Sequence, residues 1–114
     1  MILQCTNKIG IFTTVNEIDL NIDQVKELCA KHQVHRLFAF GSVLKDTFKK
    51  ESDIDLMVDF ENIDLYEYAD NYFDLKFALE NIFRRPVDLL EEKAIRNPYL
   101  KNQIDMEKQL IYGQ

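Results

Sequence analysis

Residues 36–58 read RLFAFGSVLKDTFKKESDIDLMV, and this stretch decides the interpretation of the chain. It begins with an apolar run that predicts a buried strand, turns at a Gly-Ser pair, and ends in a second apolar run. In an extended strand successive side chains point to opposite faces, so Asp53 and Asp55 share one face while the alternate apolar residues face a core. The pattern therefore predicts two strands joined through a glycine turn, with two carboxylates side by side on the second strand.

Two carboxylates on one face indicate a cation site. Each negative charge raises the free energy needed to ionise the other, and a divalent cation relieves that repulsion. Mg²⁺ favours one or two carboxylates together with phosphate oxygens. Gly41 and Ser42 precede a predicted short helix over residues 43–48, and a helix N-terminus suits a phosphate group. The stretch therefore predicts a metal-dependent nucleotide site.

A third acidic residue follows in a predicted short strand near Pro86. Val87 and Leu89 fall on one face of that strand and Asp88 on the other. If this strand lies beside residues 53–58, Asp88 joins the first two carboxylates. Three carboxylates are enough to hold two cations roughly 3.5–4 Å apart, which would activate an attacking hydroxyl and stabilise a leaving group.

These runs, Leu37–Ser42, Ser52–Val58 and Val87–Leu89, resemble the polymerase-beta-type nucleotidyltransferase superfamily. More narrowly, they resemble the minimal nucleotidyltransferases (MNT), the antitoxin halves of HEPN/MNT toxin–antitoxin pairs. The resemblance covers about residues 25–113 and implies an α/β (α+β) fold, a small mixed β-sheet flanked by helices. It divides the chain into an N-terminal extension of unknown role, residues 1–20, and a minimal nucleotidyltransferase domain, residues 21–114.

The resemblance also implies a reaction, in which AMP passes from ATP to a protein hydroxyl. The expected acceptor is a tyrosine of a cognate HEPN ribonuclease toxin, which the protein would silence as an antitoxin. The implied catalytic residues and ligands for two Mg²⁺ ions are Asp53, Asp55 and Asp88, with Asp88 nearest the attacking hydroxyl. The implied nucleotide-binding residues are Gly41, Ser42, Lys45 and Ser52.

Two alternative functions stay open, and a departure from the family pattern bears on the first of them. Relatives often carry Ala-Arg-Gly two residues after the serine, whereas this chain has Leu44-Lys45-Asp46. Lysine keeps the positive charge but lacks the planar fork of arginine, and Asp46 adds a negative charge near the triphosphate. This departure favours an inactive antitoxin that acts by stoichiometric binding alone. The other alternative is a small-molecule nucleotidyltransferase of the aminoglycoside-modifying type, which the missing second domain disfavours.

Length and composition limit the remaining classes of protein. A chain of 114 residues with 46% hydrophobic residues predicts one folded domain. A net charge of −6 disfavours direct binding to nucleic acid, and the apolar runs are too short for a membrane span. The two cysteines, Cys5 and Cys29, have no metal-ligand spacing and fit a reducing cytoplasm. The sequence leaves open whether the chain forms a homo-oligomer.

Capping signals predict the helices. Asn21 predicts a helix over residues 22–31, and Leu20 and Val25 are spaced for a hydrophobic staple across its first turn. Asp64 opens a long helix to about residue 82, which is apolar on more than one side. Further predicted elements are a helix from Pro98 to about residue 108 and a short edge strand over residues 110–112.

Overall fold

The computed structural model describes residues 18–41 and 53–113, and in this part of the chain three α-helices flank one four-stranded sheet. The elements in chain order are α1 (Ile22–Lys31), β1 (Val34–Phe40), β2 (Ile54–Phe60), α2 (Leu65–Phe83), β3 (Val87–Glu91), a 3-10 turn (Glu92–Ala94), α3 (Pro98–Glu107) and β4 (Gln109–Tyr112). The predicted α/β class is confirmed. The predicted helix over residues 43–48 lies outside the described residues.

The sheet is mixed and has the strand order β3-β2-β1-β4. β1 runs antiparallel to both β2 and β4, while β2 and β3 run parallel. Parallel neighbours need a crossover connection, and α2 supplies it. The Asp64 side chain caps the start of α2 by accepting a hydrogen bond of 3.0 Å from the Tyr66 backbone N–H. At its other end Arg84 adopts a left-handed conformation and ends the helix.

The main hydrophobic core lies on the sheet face that α1 and α2 cover. Alternate residues of β2 point into it, and all of them are buried: Ile54, Leu56, Val58 and Phe60. The two helices contribute Val25, Cys29, Leu75, Leu79 and Phe83. Because the strand positions between these residues point the other way, the second face of the sheet is left for other contacts.

A smaller apolar cluster covers part of the second face. Phe38, Phe40 and Met57 lie on that face and pack with Ile104 of α3. The structure therefore has α1 and α2 on one side of the sheet and α3 on the other. At the start of β2 the second face carries Asp55, which is partly exposed.

The apolar residues of α2 divide between core and solvent, as its two-sided pattern predicts. Leu75 and Leu79 have no exposed surface, whereas Phe73 is 50% and Phe77 is 58% exposed. The two phenyl rings stack with their centroids 5.9 Å apart. No helix within residues 18–41 and 53–113 is long and apolar enough to span a bilayer.

Candidate active site

Asp55 of β2 and Asp88 of β3 are register partners on adjacent parallel strands. The flanking residues of both strands, among them Ile54 and Val87, are buried in the main core. Asp55 and Asp88 therefore project from the opposite face, as the sequence predicts. Asp53, two residues before Asp55, is exposed just ahead of β2. The fold thus places two of the three predicted carboxylates opposite each other and the third directly before β2.

Gly41 follows β1 directly and brings the backbone against Asp55. Its neighbour Phe40 is the register partner of Asp55 across the antiparallel β1–β2 pair. Gly41 has a φ of 74°, a conformation that glycine adopts readily and other residues rarely do. A Cβ atom added here would overlap the Oδ2 atom of Asp55. Glycine is therefore required at this position both by the backbone conformation and by the closeness of the carboxylate.

Glu107, the last residue of α3, also reaches this turn. The Gly41 backbone N–H donates a hydrogen bond of 3.1 Å to Glu107 Oε1. Sequence reasoning missed Glu107, because it belongs to no motif and is 66 positions from Gly41. The one available signal is helical spacing. Glu107 follows the buried Ile104 by three residues, and such residues share a helix face.

Glu80 of α2 fixes the start of β3. Its Oε2 atom accepts hydrogen bonds of 3.0 Å from the Val87 backbone N–H and of 3.0 Å from Lys76 Nζ. The Val87 N–H, and after it the Lys76 ammonium, lowers the pKa of the Glu80 carboxyl. Glu80 therefore holds the backbone directly before Asp88. Lys76 and Glu80 have the spacing of a helical ion pair. Nothing in the sequence indicates the contact between Glu80 and the strand.

Tyr72 of α2 holds the middle of β3. Its hydroxyl donates a hydrogen bond of 2.6 Å to the Leu89 carbonyl. Burial raises the pKa of the Tyr72 phenol; Lys76 opposes this rise, and the negative charge of Asp88 adds to it. Tyr72 is therefore a neutral hydrogen-bond donor that ties β3 to α2 beside the predicted site.

A separate ion cluster lies at the far end of β2. Asp59 is only 6% exposed, and its carboxylate lies 3.2 Å from Arg36 Nη2 and 3.5 Å from Lys93 Nζ. Along a strand, four residues span roughly 13 Å, so Asp59 is too far from Asp55 to share a cation with it. This cluster anchors the 3-10 turn to the sheet and is distinct from the predicted site.

The chemistry of the oxygen donors suits Mg²⁺. Within residues 18–41 and 53–113, no three side chains of His, Cys, Asp or Glu lie close enough together to hold a metal ion by themselves. The predicted triad is therefore not drawn together as one cluster. Asp55 and Asp88 nevertheless offer hard carboxylate oxygens on the face that the Gly41 backbone approaches. Mg²⁺ commonly takes its other ligands from phosphate and water. The residues present fit an ion that arrives with a nucleotide.

Ser42, Lys45 and Ser52, the other predicted nucleotide-binding residues, lie outside the described residues. Their roles remain predictions. Of the four predicted nucleotide-binding residues, only Gly41 lies within the described residues.

The fold and this site define a nucleotidyltransferase. The family model described as "Nucleotidyltransferase domain" matches residues 22–111, so the chain belongs to that family. A provisionally named protein adenylyltransferase of Methanocaldococcus jannaschii is 35% identical over 99 residues, which cover 80% of this chain and 96% of the relative. Within the family the chain is a minimal nucleotidyltransferase, as the resemblance implied.

One solved structure supports this assignment, and a second supports the fold. One, described as a minimal nucleotidyltransferase, is 30% identical with a TM-score of 0.70, over 83% of this chain and 93% of the other. The second is the Shewanella oneidensis complex of a tri-AMPylated HEPN toxin with an MNT antitoxin. Its matched chain is 20% identical with a TM-score of 0.59, over 84% of this chain and 72% of that one. At that identity it supports the fold alone.

Proposed function

We propose that this protein is an antitoxin that transfers AMP from ATP, with Mg²⁺, to a tyrosine hydroxyl of a cognate HEPN ribonuclease toxin. The observation that carries the proposal is the in-register pair Asp55 and Asp88 on the face that Gly41 approaches. Membership of the nucleotidyltransferase family supports the reaction class. The adenylyltransferase relative supports the choice of adenylyl group. A HEPN acceptor is proposed because a chain of the same fold is an MNT antitoxin in complex with a tri-AMPylated HEPN toxin.

Each proposed residue has a defined part in the transfer. Asp53, Asp55 and Asp88 hold Mg²⁺, which when bound neutralises phosphate charge and lowers the pKa of the attacking hydroxyl. Asp88 lies nearest the acceptor and takes its proton. Gly41 lets the backbone approach the nucleotide.

The transfer is a single in-line displacement. The acceptor oxygen forms a bond to the α-phosphorus of ATP, and the bond from that phosphorus to the bridging oxygen of the pyrophosphate breaks. The hydroxyl proton passes to the Asp88 carboxylate, and pyrophosphate leaves. Ser42, Lys45 and Ser52 hold the triphosphate during this step.

The exposure of the site supports a macromolecular acceptor. Asp53 and Asp88 are exposed and Asp55 is partly exposed. α3 packs on the same sheet face through Ile104 and reaches the Gly41 backbone through Glu107. Asp53 and Asp88 nevertheless remain exposed, and a partner protein can supply a wall around its own hydroxyl.

The test compares wild type with Asp88→Asn. Each is incubated with ATP, Mg²⁺ and its cognate HEPN partner, and the intact mass of the partner is measured. We expect wild type to add the mass of one or more adenylyl groups, and Asp88→Asn to bind the partner without changing its mass.

A matched control is Glu27→Gln, which removes one carboxylate from an exposed position of α1 behind the sheet. It should modify the partner as wild type does. If wild type and Asp88→Asn neutralise the partner equally and neither changes its mass, the protein acts by stoichiometric binding instead.

A further inference from the structure

We infer that Glu107 is a positioning residue of the proposed active site, which holds the Gly41 turn against Asp55 from the C-terminal end of α3. This inference rests on the proposed function, because it assigns Asp55 to the bound metal and nucleotide. Glu107 does not touch substrate in this role. It acts through the Gly41 backbone.

The contacts form a short chain from α3 to the carboxylate. Glu107 Oε1 accepts the Gly41 N–H at 3.1 Å. The Cα of Gly41 in turn lies so close to Asp55 that a Cβ there would overlap Oδ2. A shift of the turn away from β2 therefore opens space beside Asp55, and a shift towards it displaces the carboxylate. The hydrogen bond that the Gly41 N–H donates to Glu107 fixes which of these positions the turn occupies.

α3 is itself firmly placed on the sheet. Ile104, three residues before Glu107, is 1% exposed and packs among Phe38, Phe40 and Met57. Because residues three apart share a helix face, the burial of Ile104 directs Glu107 towards the same sheet face. The end of α3 therefore works as a fixed support for the turn.

Local helix energetics do not explain a glutamate at this position. Glu107 is the last residue of α3, where the helix dipole disfavours a negative charge. Alanine also forms helices more readily than glutamate. Glu107→Ala should therefore leave the helix intact, and exchange of the Gly41 amide then reports whether the Gly41 contact is lost.

The experiment compares Glu107→Ala, which removes the acceptor, with Glu107→Gln, whose amide oxygen can still accept the Gly41 N–H. Asp105→Ala is the control, because Asp105 lies on the same helix and its carboxylate contacts only Lys101 and Lys108 among the hydrogen bonds described. The first readout is hydrogen exchange of the Gly41 amide by NMR, without nucleotide. The second is kcat and KM for ATP in adenylyl transfer.

We expect Glu107→Ala to speed exchange of the Gly41 amide at least about tenfold and to lower kcat by about ten- to a hundredfold, as the loss of a charge-assisted hydrogen bond implies. KM for ATP should change little. Glu107→Gln should restore slow exchange and most of the turnover, and Asp105→Ala should behave as wild type.

Other outcomes separate this inference from the proposed function. Unchanged exchange and kcat in Glu107→Ala, with active wild type, would overturn the positioning role and leave the function standing. A lower KM in both Glu107 variants would also overturn it, because Glu107 would then be an anion that competes with the triphosphate. If wild type transfers nothing, the function fails, while the Gly41 exchange rates still decide whether Glu107 holds the turn.

Discussion

Asp55 and Asp88 lie directly opposite each other on two parallel strands, although the whole of α2 separates them in sequence. Like charges in opposed positions of a sheet are unfavourable. The fold keeps this pair on the face that Gly41 approaches, with Asp88 exposed and Asp55 partly exposed. Such a pair gains most from a bound cation, and the first prediction measures that gain.

The double variant Asp55→Asn with Asp88→Asn should lose the stabilisation that Mg²⁺ and ATP give to wild type. A ligand that binds the folded state raises the free energy of unfolding by mass action, and this variant lacks the two carboxylate charges that are proposed to hold the metal. Without ligand the variant should be as stable as wild type, or more stable by up to about 1 kcal/mol, because a repulsion is removed. Thermal unfolding with and without Mg²⁺ and ATP measures both effects.

The control for this experiment is Glu27→Gln with Asp74→Asn. It removes the same number of negative charges from exposed positions of α1 and α2, the helices behind the sheet. It should keep the full increase in melting temperature. An increase that survives in the Asp55 and Asp88 variant would exclude these carboxylates as the metal ligands.

Gly41→Ala should destabilise the protein through two separable terms. The left-handed backbone at φ 74° costs a residue with a Cβ about 1–2 kcal/mol, and overlap with Asp55 Oδ2 adds to that. Asp55→Ala should relieve only the second term. A double-mutant cycle in urea, with free energies of unfolding for wild type, both single variants and the double variant, measures the coupling.

Gly113→Ala provides the comparison for this cycle. Gly113 also has a positive φ, of 96°, but its added Cβ would overlap the His35 backbone carbonyl. Its cost should therefore be unaffected by Asp55→Ala. Strictly additive effects of Gly41→Ala and Asp55→Ala would show that the turn does not press on the carboxylate.

Glu80→Gln should lower the stability of the protein in a pH-dependent way. The Val87 N–H and Lys76 lower the folded-state pKa of Glu80 from its ordinary value of 4.5. A carboxyl with a depressed pKa contributes stability above its unfolded pKa and loses it as the pH falls through the folded pKa. The difference between wild type and Glu80→Gln should be about 0.5–1 kcal/mol at pH 7, since the group is partly exposed. It should shrink steadily below pH 4.5.

Urea unfolding at pH 7 and at several values below pH 4.5 checks this prediction. Lys76→Met removes the second cause of the pKa shift and should reproduce only part of the loss, because the Val87 N–H remains. A difference between wild type and Glu80→Gln that stays constant across the range would mean that the ionised carboxylate does not stabilise the start of β3.

Much of the fold could be predicted because its signals are local. Asn97 and Pro98 mark the start of α3, and the Asn97 side chain accepts from the Tyr99 and Leu100 N–H groups. The alternation in residues 53–58 correctly assigned Ile54 and Leu56 to the core and Asp55 to the other face. Hydrophobic periodicity and helix capping involve residues only a few positions apart, so both can be recognised in the sequence alone.

Two local predictions at the start of α1 were wrong. The Asn21 side chain makes no capping hydrogen bond, and Leu20 does not staple the first turn, because it is 81% exposed. Ile18, two residues earlier, is instead buried in the same cluster as Val25. The spacing across a cap identifies apolar candidates, but the path of the chain before the helix decides which of them reaches the core.

The residues that hold the backbone around the site in place could not be predicted from the sequence. Glu107 and Glu80 each bind a backbone N–H of a strand or turn that is near only in the folded protein. Asp59 reads as one more acidic residue on β2, yet it is buried against Arg36 and Lys93. These roles follow from the packing of α2, α3 and the 3-10 turn on the sheet, and no periodicity in one segment encodes them.

The strand order determines when each partner of β1 becomes available during synthesis. Both neighbours of β1 come from later in the chain, β2 soon after it and β4 at residues 109–112. During synthesis on the ribosome, β1, β2, α2 and β3 can therefore assemble first and bring Asp55 and Asp88 together while one edge of β1 still lacks its partner. Unpaired strand edges favour association between incomplete chains. The arrival of α3 and β4 closes that edge and delivers Glu107 to the Gly41 turn in the same event, so that the nascent chain completes its sheet and its proposed active site together.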